Sequence, residues 1–246
     1  MSEPNIGVVM FDAATDAASV IRAVQLAGGT PVPLHPKTTV APDLADVSVV
    51  ILPGGFSYGD YLRAGALAAT QPIMRVLKEA VQSKELTVIG VGNGFQVLTE
   101  AELLPGGFIA NQTPGFHHSE VELVIADNSS AMTNAYDLGE QIRLIQKGGY
   151  MQYVATETEL QKLENQGNII VRAKKSADDS VHDIVGISST DGFVLGLMAS
   201  PEYAIEEGFG TDHPDGPGMG VDGQGFFVSI VRAAGAIDNE GVVVGE

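Results

Sequence analysis

Cysteine is absent from all 246 residues, and so is tryptophan. Without a thiol there is no disulfide, no thiolate nucleophile and no cysteine-ligated zinc. Basic residues are scarce: 13 Lys and Arg stand against 31 Asp and Glu, for a formal net charge of -18. So acidic a chain lacks the basic patch that a general phosphate-backbone binder needs, which argues against a nucleic-acid partner. Acidity on this scale serves solubility or attraction to a basic partner surface. Long apolar runs are missing as well, since no stretch approaches the roughly 18 to 20 residues that span a bilayer. The first residues carry neither the basic region nor the apolar core of a secretory signal. The expectation is a cytoplasmic protein with no membrane association, no cofactor and no metal.

What is present is an alternation of apolar strands and helices. Ile6 to Phe11, Pro31 to Leu34, Val47 to Leu52 and Leu86 to Val91 read as buried strands. Between them, Val20, Ile21, Val24 and Ala27 fall at helical spacing and stop at Gly28-Gly29. A second helical face runs from Leu62 to Ala80, interrupted near Pro72. This pattern predicts an α/β fold, a doubly wound and mostly parallel sheet with helices on both faces. From about residue 107 the strands shorten (Val121 to Ile125, Ile142 to Ile145, Asn168 to Val171, Ile184 to Ile187), which predicts added mixed or antiparallel strands in the second half. Thr156 to Glu164 reads as a helix, Asp127 to Asn134 as a polar loop, and Phe193 to Met198 as a return to the core. Residues 208 to 225 read as a Gly, Pro and Asp-rich loop or lid, and Phe226 to Ala233 as a closing helix. One domain over 1–235 and an acidic tail over 236–246 are expected.

The most informative stretch is Gly90-Val91-Gly92-Asn93-Gly94-Phe95-Gln96. A buried strand, three alternating glycines and a helical pattern describe a nucleophile elbow, a sharp turn that lifts one side chain above a sheet. At its apex, where the reacting atom would sit, stands Gly92. A second glycine turn, Pro53-Gly54-Gly55, also ends a strand. Ligands of doubly wound folds sit beyond the carboxyl ends of the strands, so a pocket is expected between the two turns. The plainer alternative is a tight strand-to-helix turn with no further role.

The run from Pro53 to Ala66, the elbow Gly90 to Gln96 and the turn Leu103-Leu104-Pro105-Gly106 resemble, in sequence, order and spacing, one family. It is the glutaminase subunit of phosphoribosylformylglycinamidine synthase, a class I glutamine amidotransferase of purine synthesis. Weaker similarity runs from about residue 6 to about 232 and includes Val194 to Met198. The resemblance implies the class I amidotransferase fold. It also implies a chemistry in which a thiolate attacks the glutamine amide, a histidine shuttles protons, a carboxylate orients that histidine and backbone N–H groups hold the oxyanion. The family has a cysteine where this chain has Gly92, and His-Pro-Glu where it has Ser200-Pro201-Glu202. Only Glu202 of the implied triad is retained, so Gly92, Ser200 and Glu202 are vestigial triad positions with no catalytic residue expected among them. By the same resemblance Gly54, Gly55 and Phe56 occupy the oxyanion loop, and Asn93, Gly94 and Gln96 belong to the pocket.

Three further segments depart from the family. Gln146-Lys147-Gly148-Gly149 stands for its His-Gly-Glu-Gly, Ala110 to His118 for an arginine-rich stretch, and Asp12-Ala13-Ala14-Thr15 for an early Pro-Gly-Ser/Thr-Asn loop. The resulting expectation is a non-catalytic subunit that scaffolds a synthetase-like partner protein. The alternatives are a pocket repurposed for another small molecule, a sensor that still binds glutamine, and a residual amidotransferase using an unexpected nucleophile. Other motifs carry less. His117 and His118 are adjacent, so on a strand they face opposite ways. Asp212-His213-Pro214-Asp215 reads as a solvated acidic turn. Gly218 to Gly223 spells a dinucleotide pattern without the preceding strand that such a site needs.

Overall fold

The computed structural model describes residues 3–40, 44, 46–175, 180–207 and 220–240. Apolar runs build the first half of the main sheet: β1 (Asn5–Val9), β2 (Thr30–Leu34), β3 (Val49–Leu52) and β4 (Thr87–Val91). Every residue of β3 and β4 is buried, as parallel strands covered on both faces require. Helix α1 (Ala17–Leu26) links β1 to β2 and buries Val20, Ala23 and Val24. The helical face read from Leu62 onward is two helices, α2 (Ala66–Ala69) and α3 (Pro72–Gln82). Pro72 opens the second one, at a position where its missing N–H has no intrahelical acceptor anyway.

After β4 comes the elbow helix α4 (Asn93–Glu100), followed by β5 (Gly107–Ile109), β6 (His117–Ile125), β7 (Gln141–Gly148) and β8 (Gln152–Val154). Helix α5 (Glu157–Gln166) begins with a capping box between Thr156 and Glu159 and stops at Gly167. The chain then runs through β9 (Ile169–Ala173), β10 (Ile184–Ser188) and β11 (Val194–Leu197), and closes with α6 (Gln224–Glu240). That last helix is longer than Phe226 to Ala233 and takes in the first residues assigned to an acidic tail. The motif Asp212 to Asp215 and the residues Gly218-Met219, with most of the expected loop or lid, lie outside the described residues.

The nine strands of the main sheet lie in the order β2-β1-β3-β4-β11-β10-β9-β6-β7. Pairings from β2 across to β11 are parallel, and those from β11 to β7 are antiparallel. β5 and β8 form a separate antiparallel pair. It is held to the elbow helix by an aromatic cluster in which Phe95 packs edge-on against Phe108 (4.9 Å between centroids) and stacks near Tyr153 (5.9 Å). The sheet direction changes at β11. This strand pairs in parallel with β4, Leu197 opposite Val91, so the residues following the two strands emerge side by side.

Candidate functional site: a glycine elbow beside a buried ion pair

Gly92 stands between β4 and α4 with φ 54° and ψ -117°, a region that is essentially reserved for glycine. Its N–H donates to the Leu197 carbonyl at 2.8 Å, tying the elbow to β11. A Cβ placed on Gly92 would meet only the Gly54 Cα, at 3.6 Å. Side-chain space above the elbow is therefore open. Gly94 is different: a Cβ there would lie 1.9 Å from the Leu52 carbonyl oxygen, so the helix runs against β3 with no room for a side chain.

The turn after β3 sits over this elbow. A Cβ on Gly54 would fall 2.5 Å from Asp16 Oδ2, and one on Gly55 would fall 2.4 Å from the Thr15 nitrogen. The loop before α1 thus packs directly on the glycine turn. The Phe56 N–H donates to the Ala13 carbonyl at 3.0 Å, so it is engaged within the protein and not directed at a ligand. Phe56 itself reaches the surface, its ring 5.5 Å from that of Phe116.

Asn93 and Gln96 are buried and bonded to neighbouring loops. Asn93 Oδ1 accepts from the Ser57 N–H and hydroxyl, and its Nδ2 donates to Asp60 (3.1 Å) and to Gln96 Oε1 (2.9 Å). Gln96 Nε2 donates in turn to the Tyr150 carbonyl. This chain of bonds clamps a 3-10 turn (Ser57–Asp60) and the β7–β8 turn onto α4. Within the turn Tyr58 and Asp60 hold positive φ, strain that the clamp sustains. Burial raises the Asp60 carboxyl above its ordinary range, and the Asn93 donor tempers that rise.

Ser200 follows β11 and is buried, its N–H donating to the Ile145 carbonyl at 2.8 Å. Glu202 is fully buried in the 3-10 turn Pro201–Tyr203, and among the described residues neither carboxylate oxygen has a hydrogen-bond partner. Burial, reinforced by the Asp16 carboxylate, pushes its carboxyl up to about 8. The Ser200 hydroxyl and Lys147 temper that rise, but the hydroxyl does not reach hydrogen-bond geometry.

The centre of the site is a group of residues that sequence spacing does not bring together. Asp16, only 1% exposed, accepts through Oδ1 from Lys147 Nζ (2.8 Å) and from the Tyr203 hydroxyl (2.8 Å). Lys147 also donates to Tyr203 (3.0 Å) and lies over its ring at 4.3 Å. Burial pulls the Lys147 ammonium down, but its bonds to Asp16 and Tyr203 outweigh that, so it stays charged. The other oxygen, Asp16 Oδ2, has no hydrogen-bond partner among the described residues. A cavity of about 20 Å³ lies among Asp16, Gly55, Gly92, Lys147 and Ser200. That is room for a particle the size of water. Of the positions named from sequence, Phe56, Asn93 and Gln96 also border it, whereas Gly54, Gly94 and Glu202 stand behind its wall. His117 and His118 lie on β6 opposite Gly148 and Lys147, with His118 exposed.

The sheet order, the elbow on its central strand and the glycine turn facing it define a class: a glutamine amidotransferase domain of class I. Residues 3–227 match the model of the CobB/CobQ-like glutamine amidotransferase domain. Within that class the chain belongs to the family of glutaminase subunits of phosphoribosylformylglycinamidine synthase. It is 40% identical to subunit PurQ of that synthase from Leifsonia xyli over 229 residues, covering 93% of this chain and 97% of the relative. Subunit PurQ of Corynebacterium glutamicum is 37% identical, with 94% and 98% covered. Among solved structures, a chain of PurLQS from Thermotoga maritima superposes with a TM-score of 0.81 at 32% identity, covering 94% of this chain and 99% of that one. Among the described residues no helix is long and apolar enough to cross a membrane.

Proposed function

We propose that this chain is a non-catalytic member of its family, a pseudo-glutaminase subunit that joins a synthetase-like partner of the PurL kind. The observation that carries this reading is the pairing of Gly92 with Asp16. The elbow holds its nucleophile-bearing shape and open space, yet its apex has no functional group, and the Asp16 carboxylate is packed on the turn facing it. A thiol introduced at this elbow would face the mutually neutralised Asp16–Lys147 pair and a serine at position 200, with no base there to take its proton. Ser200, at the position of the family's base, has no acid–base capacity near neutral pH. The remaining scaffold, including the clamp through Asn93 and Gln96, preserves the shape of the face that carries the elbow.

In this role the subunit supports its partner's fold while free ammonia supplies the nitrogen. The test has two arms. Purified protein incubated with glutamine is expected to release no glutamate above the uncatalysed rate, and turnover at ordinary enzyme rates would overturn the reading. Native mass spectrometry of protein purified from its source is expected to show a synthetase-like partner at fixed stoichiometry. A second reading, a pocket repurposed for another small molecule, draws support from the Asp16–Lys147–Tyr203 group. The small free volume of the cavity counts against any ligand as large as glutamine unless the surrounding loops rearrange.

A further inference from the structure

The chamber over Gly92 is small for a reason that lies in one side chain. The end of β7 borders it with Lys147, Gly148 and Gly149, and the two glycines bring no side chain to that wall. The bulk on this side is therefore Lys147, whose side chain is only 18% exposed. From β7, where Lys147 pairs with His118, it crosses to the loop before α1 and meets Asp16 Oδ1 at 2.8 Å. With that side chain in place a cavity of about 20 Å³ remains. Such a space takes a particle of water size, but no carboxamide or amino-acid head group.

A lysine on an open surface is a flexible chain with many rotamers. This one is fixed from several directions. Besides Asp16, its ammonium donates to the Tyr203 hydroxyl at 3.0 Å and lies 4.3 Å over the Tyr203 ring. The Tyr203 hydroxyl donates to Asp16 Oδ1 at 2.8 Å, so the three side chains close a ring of contacts. Asp16 in turn has no slack, because its Oδ2 lies against Gly54, where even a Cβ would come within 2.5 Å. Withdrawing the ammonium would strand the Asp16 carboxylate in the interior without its cation. The charges thus favour the closed arrangement.

We propose that Lys147 is a plug built into the fold and that Asp16 and Tyr203 are its latch. This one side chain, and not the surrounding loops, keeps the elbow chamber closed to anything larger than water. The inference deepens the non-catalytic reading and rests on it for its purpose. Closure itself is measured without glutamine, so the two can fail separately.

The absence of cysteine from the chain supplies the probe. Gly92→Cys places a single thiol in the chamber, and its alkylation by iodoacetamide, followed by intact mass, reads access from outside. Two pairs of substitutions go into that background. Asp16→Asn with Lys147→Met keeps the bulk of the plug, whereas Asp16→Asn with Lys147→Ala removes it. Both lack the ion pair, so the charge around the thiol is the same in each and only bulk differs. The form with Ala is expected to be alkylated at least tenfold faster than the form with Met. A smaller difference overturns the proposal, since a pair that only holds the fold together would loosen both forms alike. Should these forms fail to fold, Gly92→Cys alone decides. It is expected to react, per thiolate, at least tenfold more slowly when folded than in urea, and a smaller ratio overturns the closure.

Discussion

Replacing Gly92 isolates backbone strain from every other effect. At φ 54° and ψ -117° a residue with a Cβ stores about 1–3 kcal/mol. A Cβ at this position meets only the Gly54 Cα at an ordinary 3.6 Å, so no steric clash is added. The stiffer unfolded chain offsets about 0.4–1 kcal/mol, and the midpoints of the two ranges leave a net loss of about 1.3 kcal/mol. For a domain of this size each kcal/mol moves Tm by roughly 2–4 °C, so a fall of roughly 3–5 °C is expected. Because the strain lies in the backbone, Gly92→Ala, Gly92→Ser and Gly92→Cys should lose nearly equal amounts. Differential scanning calorimetry of the three variants measures this directly. Gly94→Ala is the contrasting control, since its Cβ would sit 1.9 Å from the Leu52 carbonyl oxygen, and it is expected to lose far more or to fail to fold. A Gly92→Ala protein as stable as the parent, or losses that grow with side-chain size, would refute the reasoning.

Two more predictions concern the buried charges. Glu202 has its carboxyl raised to about 8 in the folded protein, from an ordinary 4.5, so its contribution is fully present below pH 4.5 and is lost as pH rises through 8. Glu202→Gln should therefore gain stability over the parent between pH 5 and 8, by several kcal/mol at the upper end; urea unfolding at a series of pH values checks this, and parallel pH profiles would contradict it. Lys147→Met leaves the Asp16 carboxylate buried without its cation and should destabilise the fold by about 3–5 kcal/mol. Adding Asp16→Asn should recover part of that loss, and equal or additive losses in urea unfolding would show that the two side chains do not act as a pair.

Much of the architecture was legible in the sequence because burial on both faces leaves continuous apolar runs, as in β3 and β4. The elbow was legible because its glycines are demanded at fixed spacing by close contacts, Gly94 against Leu52 above all. Other elements left weaker traces. β6 begins at His117, four residues before its apolar portion, because His117 to Glu120 pair with β7 while remaining partly open to solvent. β5 and β8 have three residues each, too few to establish a period. The least visible feature was the group at the centre of the site. Asp16, Lys147 and Tyr203 come from the loop before α1, the end of β7 and the turn after β11, and no local spacing encodes that meeting. A charged residue close to an apolar strand, as Lys147 is to Ile142–Ile145, was the available signal. Phe56 also shows the limit of reasoning by position, because only the structure reveals that its N–H is bonded to Ala13.

The register between β4 and β11 has a consequence for how activity is lost and regained in such proteins. Positions 92 and 200 are brought together by adjacent strands of a nine-stranded sheet, not by a loop that reactive side chains must organise. The frame does not depend on what those two positions carry. A lineage with this frame can drift out of chemistry by point substitution and keep its shape intact. On the non-catalytic reading proposed above, the route back is longer, since the surroundings of the elbow, Ser200 and the Asp16–Lys147 pair included, would have to change along with Gly92.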